Sequence, residues 1–163
     1  MRYKQINSSK QTIKSANWKA RARTLIPLKI DKCKTIKFPK ISDHRGNLSF
    51  IEGKRHIPFE IKRAYYLYDV PSEAKRGGHA HFKMEAVIIA LSGSFEVKVY
   101  DGFKTKSIFL NKPNYGLYLP ASVWREIENF SSNSIALVLA STYYEESDYI
   151  RNRAVFKKMV RPK

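Results

Sequence analysis

The sequence predicts an all-β domain, folded as a sandwich or barrel, with one short helix at its C-terminus. Short segments rich in Val, Ile, Tyr and Phe recur along the chain, and turn signals separate them. Asp101-Gly102 follows the alternating segment Glu96–Tyr100, which is a strong signal for a β-hairpin. Short strands at intervals of about 8–12 residues are typical of antiparallel sandwiches and barrels.

Nine strands are predicted from these segments. In chain order they span Thr35–Ile41, Asn47–Glu52, Glu60–Asp69, Ala86–Leu91, Ser94–Tyr100, Thr105–Leu110, Gly116–Leu119, Val123–Ile127 and Ile135–Ser141. Turns are expected at residues 43–46, 76–78, 92–93, 101–102 and 112–114, where Gly, Pro, Asn and Asp cluster. A helix is predicted after the last strand, with Ser147 or Asp148 as its N-cap and Ile150, Ala154 and part of Phe156–Val160 on its apolar face.

Length and composition exclude several classes of protein. The chain has 163 residues, 43% of them apolar, which is enough for one domain with its own core. Its single cysteine, Cys33, excludes an internal disulfide and favours a reducing compartment. The apolar runs are far shorter than the about 20 residues of a membrane span, and no secretory leader is recognisable. We therefore expect a cytoplasmic protein without a membrane span.

The net charge of +17 is concentrated near the N-terminus. Residues 1–40 contain 12 Lys and Arg and one acid, Asp31. We divide the chain into a basic N-terminal extension, residues 1–30, and a folded domain, residues 31–163. Charge runs are usually only solvated, although an arm with Trp18 among basic residues is also compatible with nucleic acid or an anionic membrane surface. The domain itself lacks a nucleic-acid motif, so no nucleic-acid partner is expected.

Strand parity divides the side chains around two candidate site segments. The first segment is Ile61–Leu67. Its more apolar face, which carries Ile61, Arg63, Tyr65 and Leu67, is expected to point inward. In the second, Gly77–His81, both histidines lie on one face. Such a pair ligates a metal, transfers protons, or is exposed and inert.

The histidine pair opens a motif that resembles the cupins, which are jelly-roll β-barrels. His79, His81 and Glu85 match the first cupin motif, and Pro120–Asn129 matches the second in spacing. Arg125 stands where metal-binding cupins have their last histidine ligand. A guanidinium carries no lone pair for a metal, so we expect a cupin barrel without a metal and with Arg125 directed into it.

A larger set of motifs is similar to the dTDP-4-keto-6-deoxyglucose 3,4-ketoisomerases, which are metal-free cupins. These motifs occur in one order from about Thr35 to Met159, at residues 51–66, 76–81, 91–94, 115–118, 123–126, 129–132, 138–141 and 143–151. The resemblance implies an isomerase without a cofactor that moves the keto group of a dTDP-linked sugar from C4 to C3, in biosynthesis of 3-amino-3,6-dideoxyhexoses. It also implies a homodimer with an exchanged N-terminal strand.

The resemblance also implies the catalytic residues. His79 matches the catalytic histidine of the family and suits the base that removes the C3 proton. Tyr65 matches an active-site tyrosine that polarises O4 or relays a proton, with a packing role as its alternative. His81 matches the second histidine, which either carries a proton or orients His79.

The candidate substrate-binding residues are chosen by their chemistry. Arginine forks suit a diphosphate, and we favour Arg125 and Arg63, followed by Arg76. Glu85 is predicted either to hydrogen-bond a histidine or to be an ordinary acid at a strand end. Trp124 should face away from Arg125 and serve packing.

Two other functions remain open at the level of sequence. A nucleotide-sugar 3,5-epimerase also uses a cupin barrel and a histidine base, and a non-catalytic sugar-binding cupin would need no base. The strings Tyr65-Tyr66 and Gly77–His81 match the ketoisomerases better, and the retained histidines argue against a binding module. The configuration of the product at C4 and the choice of nucleotide base do not follow from the sequence.

Overall fold

Two five-stranded antiparallel sheets face each other across an apolar interior in the computed structural model, which describes residues 30–160. The strands are β1 (Lys34–Lys37), β2 (Lys40–Asp43), β3 (Gly46–Ser49), β4 (Arg63–Leu67), β5 (Arg76–His81), β6 (Ala86–Ser92), β7 (Phe95–Tyr100), β8 (Thr105–Leu110), β9 (Tyr115–Leu119), β10 (Trp124–Glu128), β11 (Ile135–Ala140) and β12 (Tyr149–Ile150). One helix, α1 (Arg153–Val160), ends the described part of the chain. The predicted all-β jelly roll with a short C-terminal helix is confirmed.

Strand order shows how the chain winds between the sheets. The first sheet has the order β1-β9-β6-β11-β4, and the second has the order β12-β5-β10-β7-β8. Consecutive strands such as β4 and β5 therefore lie in different sheets, as in a jelly roll. The predicted hairpin at Asp101-Gly102 joins β7 to β8, with Tyr100 opposite Thr105.

The alternation of side chains produces three apolar clusters. Between the sheets, Ala86 and Ile88 of β6 meet Phe95, Val97 and Val99 of β7, among others. On the outer side of the first sheet, Val87 and Ile89 are covered by Phe38, Ile57 and Phe59. On the outer side of the second sheet, α1 packs Phe156, Met159 and Val160 against Ala80 and Trp124. Apolar side chains thus cover the outer side of each sheet. The interior between the sheets contains the main core and also a cavity lined by both sheets.

The first predicted strand is divided in two. Pro39 lies between β1 and β2, and proline has no N–H for a strand ladder. β1 pairs with β9, whereas β2 and β3 form a separate hairpin through the predicted turn at residues 43–46. Every residue of this hairpin is exposed, including Ile41 and Leu48, at 59% and 56% of their surface.

The expected turn at residues 76–78 is wrong, because these residues begin β5. Gly77 and Gly78 have φ values of +83° and +67°, which an extended strand seldom contains. They lie where the register between β5 and β10 shifts, so the two glycines form a bulge inside the sheet instead of a turn between strands.

The N-cap predicted for the helix is also wrong. Helix α1 begins at Arg153, and Asn152 caps it: its Oδ1 accepts hydrogen bonds from the backbone N–H groups of Ala154 and Val155, at 2.9 and 3.0 Å. Ser147 and Asp148 lie in a 3₁₀ turn before β12. Ile150 belongs to β12, which pairs with β5 and which the sequence analysis missed.

The proposed N-terminal extension, residues 1–30, lies outside the described residues except for Ile30. Ile30 is buried and its N–H donates to Asp101 Oδ2 at 3.1 Å, which ties the start of the domain to the β7–β8 hairpin. Within residues 30–160, no helix is long and apolar enough to cross a membrane.

Candidate active site

A cavity of about 450 Å³ opens between the two sheets. Its inner wall is apolar and comes from strands of both sheets; it includes Ala86, Ile88, Leu119, Ile127 and Val138. Its polar lining consists of Tyr65, Lys75, Arg76, His79, Arg125, Tyr149 and Arg151. A largely apolar pocket with a few converging polar groups is the usual form of a small-molecule site.

His79 lines this cavity from β5, immediately after the glycine bulge. Its Nδ1 lies 3.0 Å from the carbonyl oxygen of Gly77. A carbonyl only accepts hydrogen bonds, so Nδ1 carries the proton and the lone pair of the neutral ring is on Nε2. Burial and the charge of Arg125 lower the pKa of His79 to about 3. The imidazole is therefore uncharged at neutral pH, with the Nε2 lone pair available to accept a proton.

Arg125 lies beside His79, since the two residues are direct partners across β10 and β5. It lines the cavity with only 3% of its surface exposed, and its Nη1 and Nη2 have no hydrogen-bond partner in the described structure. Burial lowers its pKa, because the charged form loses its hydration. An enclosed guanidinium without partners is costly unless an anion or polar ligand meets it. The sequence prediction that Arg125 points into the barrel is confirmed.

Tyr65 reaches the same cavity from β4. It lies on the less exposed face of that strand with Arg63 and Leu67, whereas Tyr66 faces outward, as parity predicts. Burial raises the pKa of Tyr65, so its hydroxyl keeps its proton at neutral pH. Ile61 does not belong to the inward face: it precedes β4 and 36% of its surface is exposed.

The structure does not bring every predicted residue to the cavity. Arg63 is outside the lining, and its guanidinium lies near Met84 Sδ, at 3.2 Å from Nη2, and over the Tyr65 and Tyr144 rings. Arg76 is exposed and lines the cavity at the start of β5.

Glu85 also lies outside the cavity, where its carboxylate accepts a hydrogen bond from the Tyr118 hydroxyl at 2.6 Å. It precedes β6 with the parity of Val87, which packs on the outer side of the first sheet. Glu85 is therefore not a histidine partner; it is an acid at the end of a strand, the other predicted alternative, with the Tyr118 hydroxyl as its partner.

His81 is placed behind the cavity wall. Only 1% of its surface is exposed, and it is not among the lining residues. Its Nδ1 lies 3.2 Å from Asp148 Oδ2, and its ring is 5.0 Å from that of His79 between centroids, in an edge-to-face arrangement. Burial, partly offset by the hydrogen bond to Asp148, lowers the pKa of His81 to about 4.

Four site residues were missed by the sequence analysis. Tyr149 and Arg151 follow the last 3₁₀ turn, and the Arg151 guanidinium lies 4.2 Å from the centre of the Tyr149 ring. Lys75 precedes β5 at the cavity opening, and Asp148 partners His81. The available signal was a buried histidine that needs an acidic partner, but the strand pattern does not identify an acid 67 residues away.

Trp124 has the predicted orientation, opposite to Arg125, and Glu126 lies on the same face of β10 as Trp124. Trp124 is buried beneath α1, and its Nε1–H donates to Glu126 Oε1 at 2.9 Å. Among residues 30–160, no three His, Cys, Asp or Glu side chains are arranged to hold a metal ion.

Comparisons with known proteins agree with this geometry. A family model described as "FdtA: WxcM-like, C-terminal" matches residues 31–161. The TDP-4-oxo-6-deoxy-alpha-D-glucose-3,4-oxoisomerase of Aneurinibacillus thermoaerophilus is 48% identical over 127 residues, which cover 78% of this chain and 91% of the relative.

Solved structures give the same result. The QdtA 3,4-ketoisomerase of Thermoanaerobacterium thermosaccharolyticum, a histidine-to-asparagine variant in complex with TDP-4-keto-6-deoxyglucose, is 43% identical with a TM-score of 0.77. That match covers 78% of this chain and 93% of QdtA. A 3,4-ketoisomerase from Helicobacter canadensis is 46% identical with a TM-score of 0.77, covering 78% and 96%.

Proposed function

Since the chain belongs to the FdtA family, we propose that it catalyses 3,4-ketoisomerisation of a dTDP-linked 4-keto-6-deoxy sugar. Relatives at 43–48% identity carry this activity or bind this substrate by name. The observation in the molecule that supports the proposal most directly is the pair formed by His79 and Arg125, a neutral base beside an enclosed and unpartnered cation.

The reaction requires two proton movements. Removal of the C3 proton leaves an electron pair that forms the C3=C4 bond, while O4 gains negative charge or a proton. Loss of the O3 proton then forms the C3 carbonyl, and C4 receives a proton. The sum moves one hydrogen from C3 to C4 and one from O3 to O4, so no oxidant, reductant or cofactor is required.

His79 is proposed as the base that takes the C3 proton and returns it to C4. Its Nε2 lone pair is available because Nδ1 donates to Gly77. Tyr65 is proposed to donate a hydrogen bond to O4 and to relay the oxygen-bound proton, since its hydroxyl stays protonated in the cavity. His81 is proposed to support His79 from behind, because it does not reach the cavity.

Arg125 is proposed to stabilise the enediolate. A guanidinium enclosed among apolar side chains strongly favours a nearby oxyanion, since few other charges or waters compete with it. The sequence analysis favoured Arg125 for the diphosphate, but its position beside His79 supports the sugar end of the substrate instead. The exposed residues Arg76, Arg151 and Lys75 line the same cavity and are better suited to the diphosphate.

A homodimer with exchange of an N-terminal strand is proposed from the β2–β3 hairpin. Within the described residues, these two strands pair only with each other and expose Ile41 and Leu48, and Phe50 directly after β3 is exposed as well. An isolated two-stranded hairpin is marginal in water. Pairing with a second copy would cover its apolar side chains and supply further strand neighbours.

The remaining proposals concern the setting of the enzyme. We infer a cytoplasmic location from the free, buried Cys33 and from the nucleotide-linked substrate. The basic segment, residues 1–30, is proposed to be an extension outside the catalytic domain, residues 31–163. No cofactor, metal or nucleic-acid partner is proposed for the reaction.

The direct test is incubation of the purified chain with dTDP-4-keto-6-deoxyglucose in the presence of EDTA, followed by NMR. We expect the 3-keto sugar to form, and its proton couplings would give the configuration at C4. Exchange at C3 and C5 without a 3-keto product would instead indicate a 3,5-epimerase. Binding of dTDP without any exchange would indicate a sugar-binding module.

A further inference from the structure

Asp148 occupies a position that no sequence motif assigned to the site. It is 93% buried, since only 7% of its surface is exposed, in the 3₁₀ turn that precedes β12. Its Oδ1 accepts the backbone N–H of Lys83 at 2.8 Å, and its Oδ2 accepts that of Met84 at 3.1 Å. The same Oδ2 lies 3.2 Å from His81 Nδ1. One carboxylate thus joins the turn after β5 to the second histidine.

These contacts determine the tautomer of His81. Burial acts to raise the pKa of the Asp148 carboxyl, but the hydrogen bonds from His81 and from the Lys83 and Met84 N–H groups outweigh it, so the pKa is lowered and the carboxyl is ionised at neutral pH. An ionised carboxylate only accepts hydrogen bonds, so His81 Nδ1 must carry a proton. In the neutral ring, the lone pair is then on Nε2, which is buried without a partner in the described structure.

The orientation of His81 matters because two cavity residues rest against its ring. Tyr149 lies 4.2 Å from it between ring centroids, and His79 lies 5.0 Å from it. Tyr149 and His79 also contact each other, at 5.0 Å between centroids. A rotated His81 ring would therefore displace both side chains, and displacement of a base by about 1 Å can cost about 100-fold in rate.

We propose that Asp148 is a positioning residue of this site, which holds His81 as the Nδ1–H tautomer and thereby fixes the ring that supports His79 and Tyr149. The consequence for catalysis rests on the proposed function, whereas the tautomer itself does not. Carboxylates commonly orient histidines in this way. Here the oriented histidine, His81, is not the proposed base but supports it.

Asp148→Asn separates this role from packing. Asparagine keeps the size of the side chain and one oxygen, which can still accept from the Lys83 N–H. The NH₂ that replaces Oδ2 faces both His81 and the Met84 N–H, which loses its acceptor. The asparagine NH₂ donates to His81, which favours the opposite tautomer. We expect kcat to fall about 10- to 100-fold and KM to change less than about threefold, because the substrate-contacting residues remain.

The test combines an NMR measurement with a double-mutant cycle. In protein labelled with ¹⁵N at histidine, the wild type should show His81 protonated at Nδ1, and Asp148→Asn should move the proton to Nε2. His81→Asn removes the ring that Asp148 orients. Asp148→Asn should therefore lower kcat by less than about twofold further in the His81→Asn background. Glu96→Gln, at a half-buried acid outside the cavity whose Oε2 accepts from Asn129 Nδ2, is the matched control and should leave the tautomer and kcat unchanged.

The outcomes distinguish this inference from the proposed function. An unchanged His81 tautomer in Asp148→Asn, or a full further loss of kcat in the His81→Asn background, would overturn the positioning role. If Asp148→Asn fails to fold, the wild-type tautomer decides: a proton on Nε2 refutes the inference and a proton on Nδ1 supports it. A wild-type chain that shows the Nδ1–H tautomer but no isomerisation would refute the proposed function alone.

Discussion

His79 and Arg125 are direct neighbours across β5 and β10, and both line the same cavity. This pairing places a permanent positive charge beside an imidazole that is already disfavoured as a cation by burial. The histidine is consequently kept neutral and able to accept a proton, and the guanidinium is kept free for developing negative charge. The proposed mechanism assigns proton removal to the first of these side chains and stabilisation of the enediolate to the second.

The pH dependence follows from the lowered pKa of His79. Its value of about 3 lies below the ordinary 6.5, so the base stays neutral, and kcat/KM should not fall as the pH decreases from 7 to 5. The charged and titratable groups near His79 are Arg125, Arg151, His81, Tyr149 and Glu146. Removing the charge in Arg125→Met should raise the His79 pKa, which an NMR titration of the imidazole would show. An unshifted pKa in that variant would refute the coupling.

Arg125→Lys tests the assignment of the enclosed guanidinium to the reacting sugar. Lysine keeps the charge but loses the planar fork and the second donor group. We expect kcat to fall about 10²- to 10³-fold, as for loss of an oxyanion donor, with the Kd of dTDP within about threefold of the wild type.

Arg76→Ala is the complementary variant and should weaken dTDP binding about tenfold or more, with a smaller effect on kcat. Arg55→Lys, at an exposed salt bridge far from the lining, is the control. If the Arg125 substitution weakens dTDP binding more than Arg76→Ala does, Arg125 binds the diphosphate and not the reacting sugar.

Gly77→Ala should destabilise the domain and misplace His79. A Cβ at this position would lie 2.8 Å from the backbone oxygen of Arg125, and its φ of +83° is already strained for alanine. Gly78→Ala is a matched control, since its φ is +67° but no atom lies within 4 Å of the added Cβ. We expect thermal unfolding to show that Gly77→Ala lowers the free energy of unfolding by about 1 kcal/mol or more beyond the loss in Gly78→Ala. Equal losses would show that the close approach to β10 is unimportant.

The β2–β3 hairpin predicts the oligomeric state. Replacing Ile41 and Leu48 by Asp together should produce a monomer, because both side chains are exposed here and would be buried by exchange with a second copy. Light scattering after gel filtration measures the mass directly. Phe109→Asp, at a residue on β8 that is 62% exposed, should leave the dimer intact. A dimer that survives the hairpin substitutions would contradict strand exchange.

Local sequence patterns predicted most of the sheet structure. Alternation in Ile61–Leu67 correctly placed Tyr65 inward and Tyr66 outward, and replacement of a ligand histidine correctly placed Arg125 in the barrel. The break at Pro39 was a local signal that the strand prediction passed over, because proline has no N–H for a ladder. The glycines of β5, in contrast, form a bulge only because β10 lies beside them, which no local pattern shows.

The site was less predictable because its contacts span long distances in sequence. Asp148 reads as a helix cap from its neighbours, but its partners are His81, Lys83 and Met84 on another element. Glu85 matches a motif position, yet it lies before β6 with the parity of the outer face and bonds to Tyr118. Spacing along one segment does not show which acid reaches which histidine.

Deuterium exchange at C3 of the substrate shows directly whether His79 is the base of a 3,4-ketoisomerisation. dTDP-4-keto-6-deoxyglucose is incubated in D₂O with EDTA, and the C3 and C4 protons are followed by NMR for the wild type and for His79→Asn. We expect the wild type to form the 3-keto sugar and His79→Asn to be slower by about 10²- to 10⁴-fold while still binding dTDP. His56→Asn, outside the cavity and the β2–β3 hairpin, should match the wild type, since the asparagine oxygen can accept the Glu52 N–H in place of His56 Nδ1. Formation of the 3-keto sugar by His79→Asn at the wild-type rate would show that His79 is not the base that removes the C3 proton.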